Sequence, residues 1–375
     1  MRFLPWKKKK GDEDALHPNK PIDSPFTQQN LSAFRLEVSV STMLPVLLCF
    51  TISCIPIGIV FLTVNSKVLE KVVEYTNCKQ YECGSSYNPA SGTKKYCCKV
   101  TFQLPEEFKG QVFMYYKLDN FFQNHRMYAR SKDDEQFYGI VKTTLAPTCK
   151  EPFRHKKENY KNNSWSIPVT PCGAVANSLF NDTFKMVYIQ LGPDLEVTMS
   201  QKDITWSSEK SHKFRNPSLK NVQNGTLSSA LRGFGAPINW QNPVYQLSPY
   251  EPEENGFLNS DLIEWMRTAA FPSFRKLHRR IIHVGAHFEK GLPKGNYRMD
   301  IKYNYPVKDF KGKKYFVLTT ASWLGGKNSF LGVCYLTIGI ISFISSFLAT
   351  VMHMKSRTRT QKVGSIDNGI ELRAK

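Results

Sequence analysis

Two long stretches without a charged side chain, one near each end of the chain, constrain this protein more than any other feature. From Val38 to Ser66 there is no Asp, Glu, Lys or Arg, and Met43 to Val64 reads MLPVLLCFTISCIPIGIVFLTV. As a helix rising ~1.5 Å per residue, that segment measures roughly 33 Å, enough to cross the hydrocarbon core of a bilayer. From Asn328 to Met354 the same charges are again absent, and FLGVCYLTIGIISFISSFLATVMHM supplies a second span. A buried helix of a soluble core rarely needs so long an uncharged run, so both segments are predicted to be transmembrane helices. Pro45 and Pro56 fit this reading, because neighbouring helices can satisfy the carbonyls a proline frees. The first span lies too far from the N-terminus, and is too long, for a cleaved signal peptide. It reads as a retained signal anchor.

Lysine and arginine near the span ends set the orientation. Arg2, the run Lys7 to Lys10, Lys20 and Arg35 precede the first span; Lys355, Arg357, Arg359, Lys362, Arg373 and Lys375 follow the second. Both tails are therefore expected in the cytosol. The predicted division is a basic cytosolic tail over 1–42, a helix over 43–64, an exoplasmic domain over 65–329, a helix over 330–354 and a cytosolic tail over 355–375. A net charge of +20 invites thoughts of nucleic acid, but an exoplasmic domain does not meet it. The excess instead favours acidic partner loops or anionic surfaces. The Lys7 to Lys10 run reads first as a topology signal and solvated tail, and second as a site for anionic membrane lipids.

Three of the nine cysteines lie in the spans, Cys49, Cys54 and Cys334; the other six are Cys78, Cys83, Cys97, Cys98, Cys149 and Cys172. An even number in an oxidising compartment points to disulfides. A zinc cluster of the four close thiols is the competing reading, which the adjacent Cys97 and Cys98 disfavour. Asn-x-Ser/Thr sites occur at Asn162, Asn181 and Asn224 in the same domain, whereas Asn30 is on the cytosolic side and should stay bare.

The loop of about 260 residues between the spans can bury its own core. Its clearest pattern is YRMDIKYNY, where Tyr297, Met299, Ile301, Tyr303 and Tyr305 alternate with polar residues, a half-buried strand. GLPKGN from Gly291 is predicted to be a turn, with RRIIHVGAHFEK before it as the partner strand. QVFMYYKL from Gln111, FKMVYIQL from Phe184 and KYFVLTTASW from Lys314 are further strands. SDLIEWMRTAAF is predicted to be a short helix capped by Ser260 and ending before Pro272; Ser207 to Gly225 reads as a polar connection. The fold class is thus a membrane protein with two transmembrane helices and a large exoplasmic β-rich domain, antiparallel and carrying short helical insertions.

Signs of catalysis are sparse. His283 and His287 have strand parity for one face, with His278 close by, but no neighbouring carboxylate or cysteine completes a metal set. Asp133, Asp134 and Glu135, preceded by His125 and Arg126, form the densest acidic cluster. Adjacency in sequence does not supply the geometry of a glycosidase, so an exposed charged loop facing a partner is the better reading. No nucleophile elbow, phosphate-binding loop, dinucleotide fingerprint or zinc-protease helix occurs. The spans carry no ionisable group except His353 at an edge, which argues against transport by this chain alone. Gly332 and Gly339, or Ser342, Ser346 and Ala349, could offer a face to another helix. No enzyme activity, cofactor, metal or small-molecule substrate is expected. An independent cell-surface receptor or adhesion protein is the alternative reading of such a chain.

Six stretches are specific enough to suggest a family: FQNHRMYARSKDDEQFYG from Phe121, PCGAVANSLFNDTF from Pro171, ITWSSEKSHKFRNP from Ile204, EWMRTAAFPSFRKLHR from Glu264, GLPKGNYRMDIKYNYPV from Gly291 and LTTASWLGGKNSFLG from Leu318. With these the chain resembles the accessory, or beta, subunits of the type-IV P-type ATPases, the phospholipid flippases (the cell-cycle-control protein 50 / Lem3 family). The resemblance covers nearly the whole chain. It implies a non-catalytic heterodimer partner of a ten-span ATPase, needed for folding, endoplasmic reticulum exit and activity of the enzyme that moves aminophospholipids to the cytosolic leaflet. It also implies residence from the endoplasmic reticulum to Golgi, endosomal or plasma membrane, a sandwich-like domain, and contact with membrane lipids. By the same resemblance Cys78 would pair with Cys98, Cys83 with Cys97 and Cys149 with Cys172; the cysteine spacing here departs from the family's usual close one. Asn181 sits where the family carries a glycan. His125, Arg126, Asp133, Asp134, Trp265, Arg267 and Trp323, within or beside these stretches, are the candidates for partner contact.

Overall fold

The structure is a computed structural model, and it describes residues 24–32, 39–83, 96–160, 163–220, 222–248 and 251–371. The basic residues Arg2 to Lys20, Arg35, Arg373 and Lys375, and the glycosylation candidate Asn162, lie outside that set.

In chain order the strands are β1 (Glu70–Glu74), β2 (Gln80–Glu82), β3 (Tyr96–Leu104), β4 (Phe108–Lys109), β5 (Val112–Asp119), β6 (His155–Tyr160), β7 (Asn163–Pro168), β8 (Thr183–Ile189), β9 (Leu195–Val197), β10 (Met199–Ser200), β11 (Phe274–Ile281), β12 (Gly291–Leu292), β13 (Gly295–Tyr303) and β14 (Lys313–Thr320). The α-helices are α1 (Val40–Ser66), α2 (Arg126–Arg130), α3 (Asp134–Phe137), α4 (Ala174–Asn177), α5 (Ser207–His212), α6 (Leu227–Ala230), α7 (Ser260–Met266) and α8 (Phe330–Glu371). They fall into two compact units: residues up to 58 with those from 334 onward, and residues 59–333.

The first unit holds most of the two apolar helices. α1 and the Phe330–Thr358 part of α8 are both long and apolar enough to cross a membrane. α8 continues beyond its apolar part to Glu371. Where the helices meet, small residues set the distance: a Cβ on Gly58 would lie 2.8 Å from Leu336 Cγ, and one on Gly339 would lie 2.6 Å from Ile55 Cγ1. Close approach of this kind gains van der Waals contact that lipid cannot match. Gly339 thus faces the chain's own first span. Ser342 and Ser346 are also buried.

The second unit is a sandwich of two five-stranded antiparallel sheets, ordered β1-β14-β5-β11-β10 and β2-β3-β13-β8-β9. Their inner faces share one core: Met114, Phe316 and Leu318 from the first sheet meet Phe102, Met186, Tyr297, Met299 and Ile301 from the second. Phe102 and Phe316 touch across it with ring centroids 5.3 Å apart. Alternation explains the arrangement, since Tyr297, Met299 and Ile301 are buried while Arg298, Asp300 and Lys302 point away.

Three local expectations fail. The segment before the Gly291 turn is not the partner of β13, which pairs with β3 and β8 instead. β11 joins β5 and β10 in the other sheet, and from Ile282 the chain leaves the extended state through Gly285 at φ 90°. Likewise α7 is capped by Asn259, whose side chain accepts from Leu262 N, while Ser260 is its first helical residue. It stops at Met266, well short of Phe271, because buried Lys276 donates through Nζ to the carbonyls of Glu264 and Arg267. A cation on the last carbonyls suits the negative end of a helix. The region from Ser207, expected to be plain connection, begins with α5.

Three disulfides join Cys78 to Cys98, Cys83 to Cys97 and Cys149 to Cys172. Taken singly, each closes a loop of 14 to 23 residues and removes unfolded-chain entropy worth about 3 kcal/mol, though the nested Cys78–Cys98 and Cys83–Cys97 bridges do not add.

Candidate partner-binding surface

A second apolar cluster, built on Trp265, Phe257, Val175, Phe180 and Tyr116, carries the loops that hold most of the sequence-predicted contact residues. Trp265 itself is fully buried, its Nε1 donating 2.7 Å to Val175 O, so it is a core residue and has no face for a partner. The segment around Cys172 is the hub of this cluster. Gly173 adopts φ 102°, and a Cβ there would collide with the Ser131 carbonyl, so only glycine fits. Ala174 N donates to Ser131 Oγ at 2.9 Å, and Cys172 N to Gln136 Oε1 at 2.8 Å. These bonds lock the acidic loop against the Cys149–Cys172 disulfide.

Asp133 and Asp134 separate in role. Asp133 is buried and caps α3, accepting from Glu135 N at 3.1 Å and Ala146 N at 3.2 Å. Asp134 is exposed, ion-paired with Lys132 at 2.8 Å, and stands at the rim of two concavities. One, of about 690 Å³, is lined by Arg130, Lys142 and the 144–148 loop; the other, of about 390 Å³, is lined by Tyr138, Glu209, Lys213 and Arg267. His125 and Arg126 are exposed at the start of α2 on a neighbouring loop.

Arg267 links this surface to Trp206 and Glu209. It bonds Glu209 Oε2 at 2.7 Å, approaches Glu264 at 3.4 Å and lies over the exposed Trp206 ring at 5.6 Å. Burial opposes ionisation of Glu209, but Arg267 and Lys213 hold its carboxyl below the ordinary range. Behind it, burial raises Glu264, whose Oε2 has no hydrogen-bond partner, and pulls Lys276 down to about 8. Trp206 and Glu209 stand some sixty residues from Arg267 in sequence, so no local spacing marked them.

The remaining sites are scattered. Trp323 lies on the loop leading into α8, 73% exposed, with its ring 6.2 Å from Phe61. The three histidines do not converge: His278 is buried on β11, while His283 and His287 occupy the loop after it. Among the described residues no group of three metal-ligating side chains occurs. Asn224 is exposed at φ 67°, and Asn181 is half-buried with its Oδ1 lacking a partner.

The profile of the LEM3 (ligand-effect modulator 3) / CDC50 family matches residues 61–359, most of the chain and both sheets. The chain belongs to this family. Mouse cell cycle control protein 50A is 38% identical over 348 residues, covering 92% of each chain. Human cell cycle control protein 50B is 38% identical over 345 residues, covering 90% of this chain and 94% of its own. A plant relative, ALA-interacting subunit 3 of Arabidopsis thaliana, is 34% identical over 352 residues. This chain is itself an integral membrane protein with a disulfide-linked antiparallel domain.

Proposed function

We propose that this chain is the non-catalytic accessory subunit of a type-IV P-type ATPase, forming a heterodimer that moves aminophospholipids toward the cytosolic leaflet. The observation that carries the reading is family membership along nearly the full length, with a relative named as an interacting subunit. The ATPase would own the aspartyl phosphate and the lipid path. This chain's part is to stabilise the folded partner, an effect that grows with its concentration relative to the dissociation constant. The surface around His125, Arg126, Asp134, Trp206 and Arg267 offers paired charges and an exposed aromatic, the composition of a binding hot spot. Both tails face the cytosol, the glycans at Asn162, Asn181 and Asn224 face the other side, and the complex leaves the endoplasmic reticulum for later membranes. Co-expression with the ATPase tests this. The ATPase's surface level and labelled aminophospholipid uptake should both rise; no change in either would refute the proposal.

A further inference from the structure

We propose that the domain end carrying the helix attachments rests on the adjacent membrane leaflet through three apolar tips, Leu191, Val284 and Trp323, which enter its interfacial layer. The strand register places them. Glu70 pairs with Thr319, Thr319 with Phe113 and Phe113 with Arg280, so these four residues form one row across the first sheet. α1 ends at Ser66, four residues before that row, and extended chain spans no more than ~14 Å in that length. The strand ends beyond that row therefore lie on the same side of the sheet as the two helix attachments.

Three loops extend there. The chain after Ile281 passes the row and carries Val284, 66% exposed. Beside it, the Tyr188 ring lies 6.2 Å from Phe288, which brings the end of β8 and the following turn to the same place. That turn, closed by Gln190 Nε2 donating to Pro193 O at 2.9 Å, holds up a fully exposed Leu191. The third loop carries Trp323 next to Phe61 of α1 and is tied to the same helix end, Asn328 N donating to Asn65 Oδ1 at 2.7 Å. None of the three side chains serves the core. Lys67, Lys290, Lys294 and Lys327 are exposed at this end as well. Aromatic and aliphatic tips flanked by lysines match a phospholipid interface, with ammonium groups at the phosphates and apolar tips beneath them. The inference rests on the helices spanning a membrane and not on the flippase reading.

The test uses the full chain alone in lipid nanodiscs, with a fluorescent amino acid introduced by codon suppression at position 191, 284 or 323, or at exposed Phe271 beyond the opposite end of the strands. A nitroxide carried near the top of the lipid acyl chain should lower emission about twofold at 191, 284 and 323 and leave 271 unchanged. Aqueous iodide should show the reverse order. Equal iodide access at all four positions would overturn the proposal. So would protection of the tips that appears only when an ATPase is bound, which would assign them to a protein partner. Loss of the partner with lipid quenching intact would refute the proposed function and leave this inference standing.

Discussion

Lys314 and Asp182 are both fully buried, with Nζ 2.6 Å from Oδ2, and they tie the first residues of β14 in one sheet to those of β8 in the other. Asp182 also accepts from Tyr75 Oη at 2.9 Å and from the backbone of Asn304 and Tyr305, while Lys314 donates to Tyr305 O and lies over the Tyr303 ring. Burial pulls Lys314 down to about 8, with Asp182 acting against that shift. Every lone pair and proton of consequence is used, which is the condition under which a buried pair holds.

Removing one member strands the other. Lys314→Met or Asp182→Asn should each cost about 3–5 kcal/mol. Asp182→Asn keeps the Asn181 sequon, so glycan loss cannot explain the result. Denaturant unfolding of the purified chain measures it; a midpoint equal to wild type would remove the pair from the account.

Two tryptophans should behave oppositely. Trp265→Ala empties a core position and is expected to cost about 3–5 kcal/mol. Trp323→Ala, at an exposed position, should stay within about 0.5 kcal/mol. Thermal melts of the two variants in the same detergent decide between them.

The acid limb of stability should be shared by His278 and Asp261. His278 is enclosed by the Tyr116, Phe180 and Phe184 rings, with Asp261 at 3.2 Å and Arg279 beside it; burial, then Arg279, lower it from 6.5. The unfolded chain then binds its proton more readily, so stability falls as pH drops below about 6.5. Burial opposes the ionisation of Asp261, but Arg279 and His278 hold it below its ordinary 3.8, so its contribution is lost as pH falls below that value. His278→Gln should flatten the upper part of the melting-temperature profile and leave the lower part. An unchanged profile would show that His278 does not titrate with unfolding.

At the proposed partner surface, Arg267→Glu should reverse the pairing with Glu209, and Asp134→Ala should remove an exposed charge. Both variants are expected to fold, keep their glycans and recover less ATPase in pull-downs, at least severalfold less for Arg267→Glu, since like charges brought together at an interface typically cost several kcal/mol. Undiminished recovery would move the interface elsewhere.

Much of this fold was legible because its signals are local. The uncharged runs announce the helices, and Tyr297, Met299 and Ile301 announce the inner face of β13. What stayed hidden depends on residues far apart. Nothing near Asp182 marks it as Lys314's partner, since its place in a glycosylation sequon suggests the surface. Trp265 is a partner-contact candidate in the sequence, and only the folded hub at Val175 shows that its indole belongs to the core. Hairpin logic pairs the RRIIHVGAHFEK segment with the next strand, whereas its first residues belong to β11 in the other sheet. The contact surface was half visible: its acidic loop could be read, but Trp206 and Glu209 meet Arg267 only through folding.

The most direct test of the central claim is mild-detergent purification of the tagged chain from its own cells, with identification of whatever comes with it. A ten-span P-type ATPase should be recovered in near-equal amount. Recovery of the glycosylated, folded chain alone at the cell surface would contradict it.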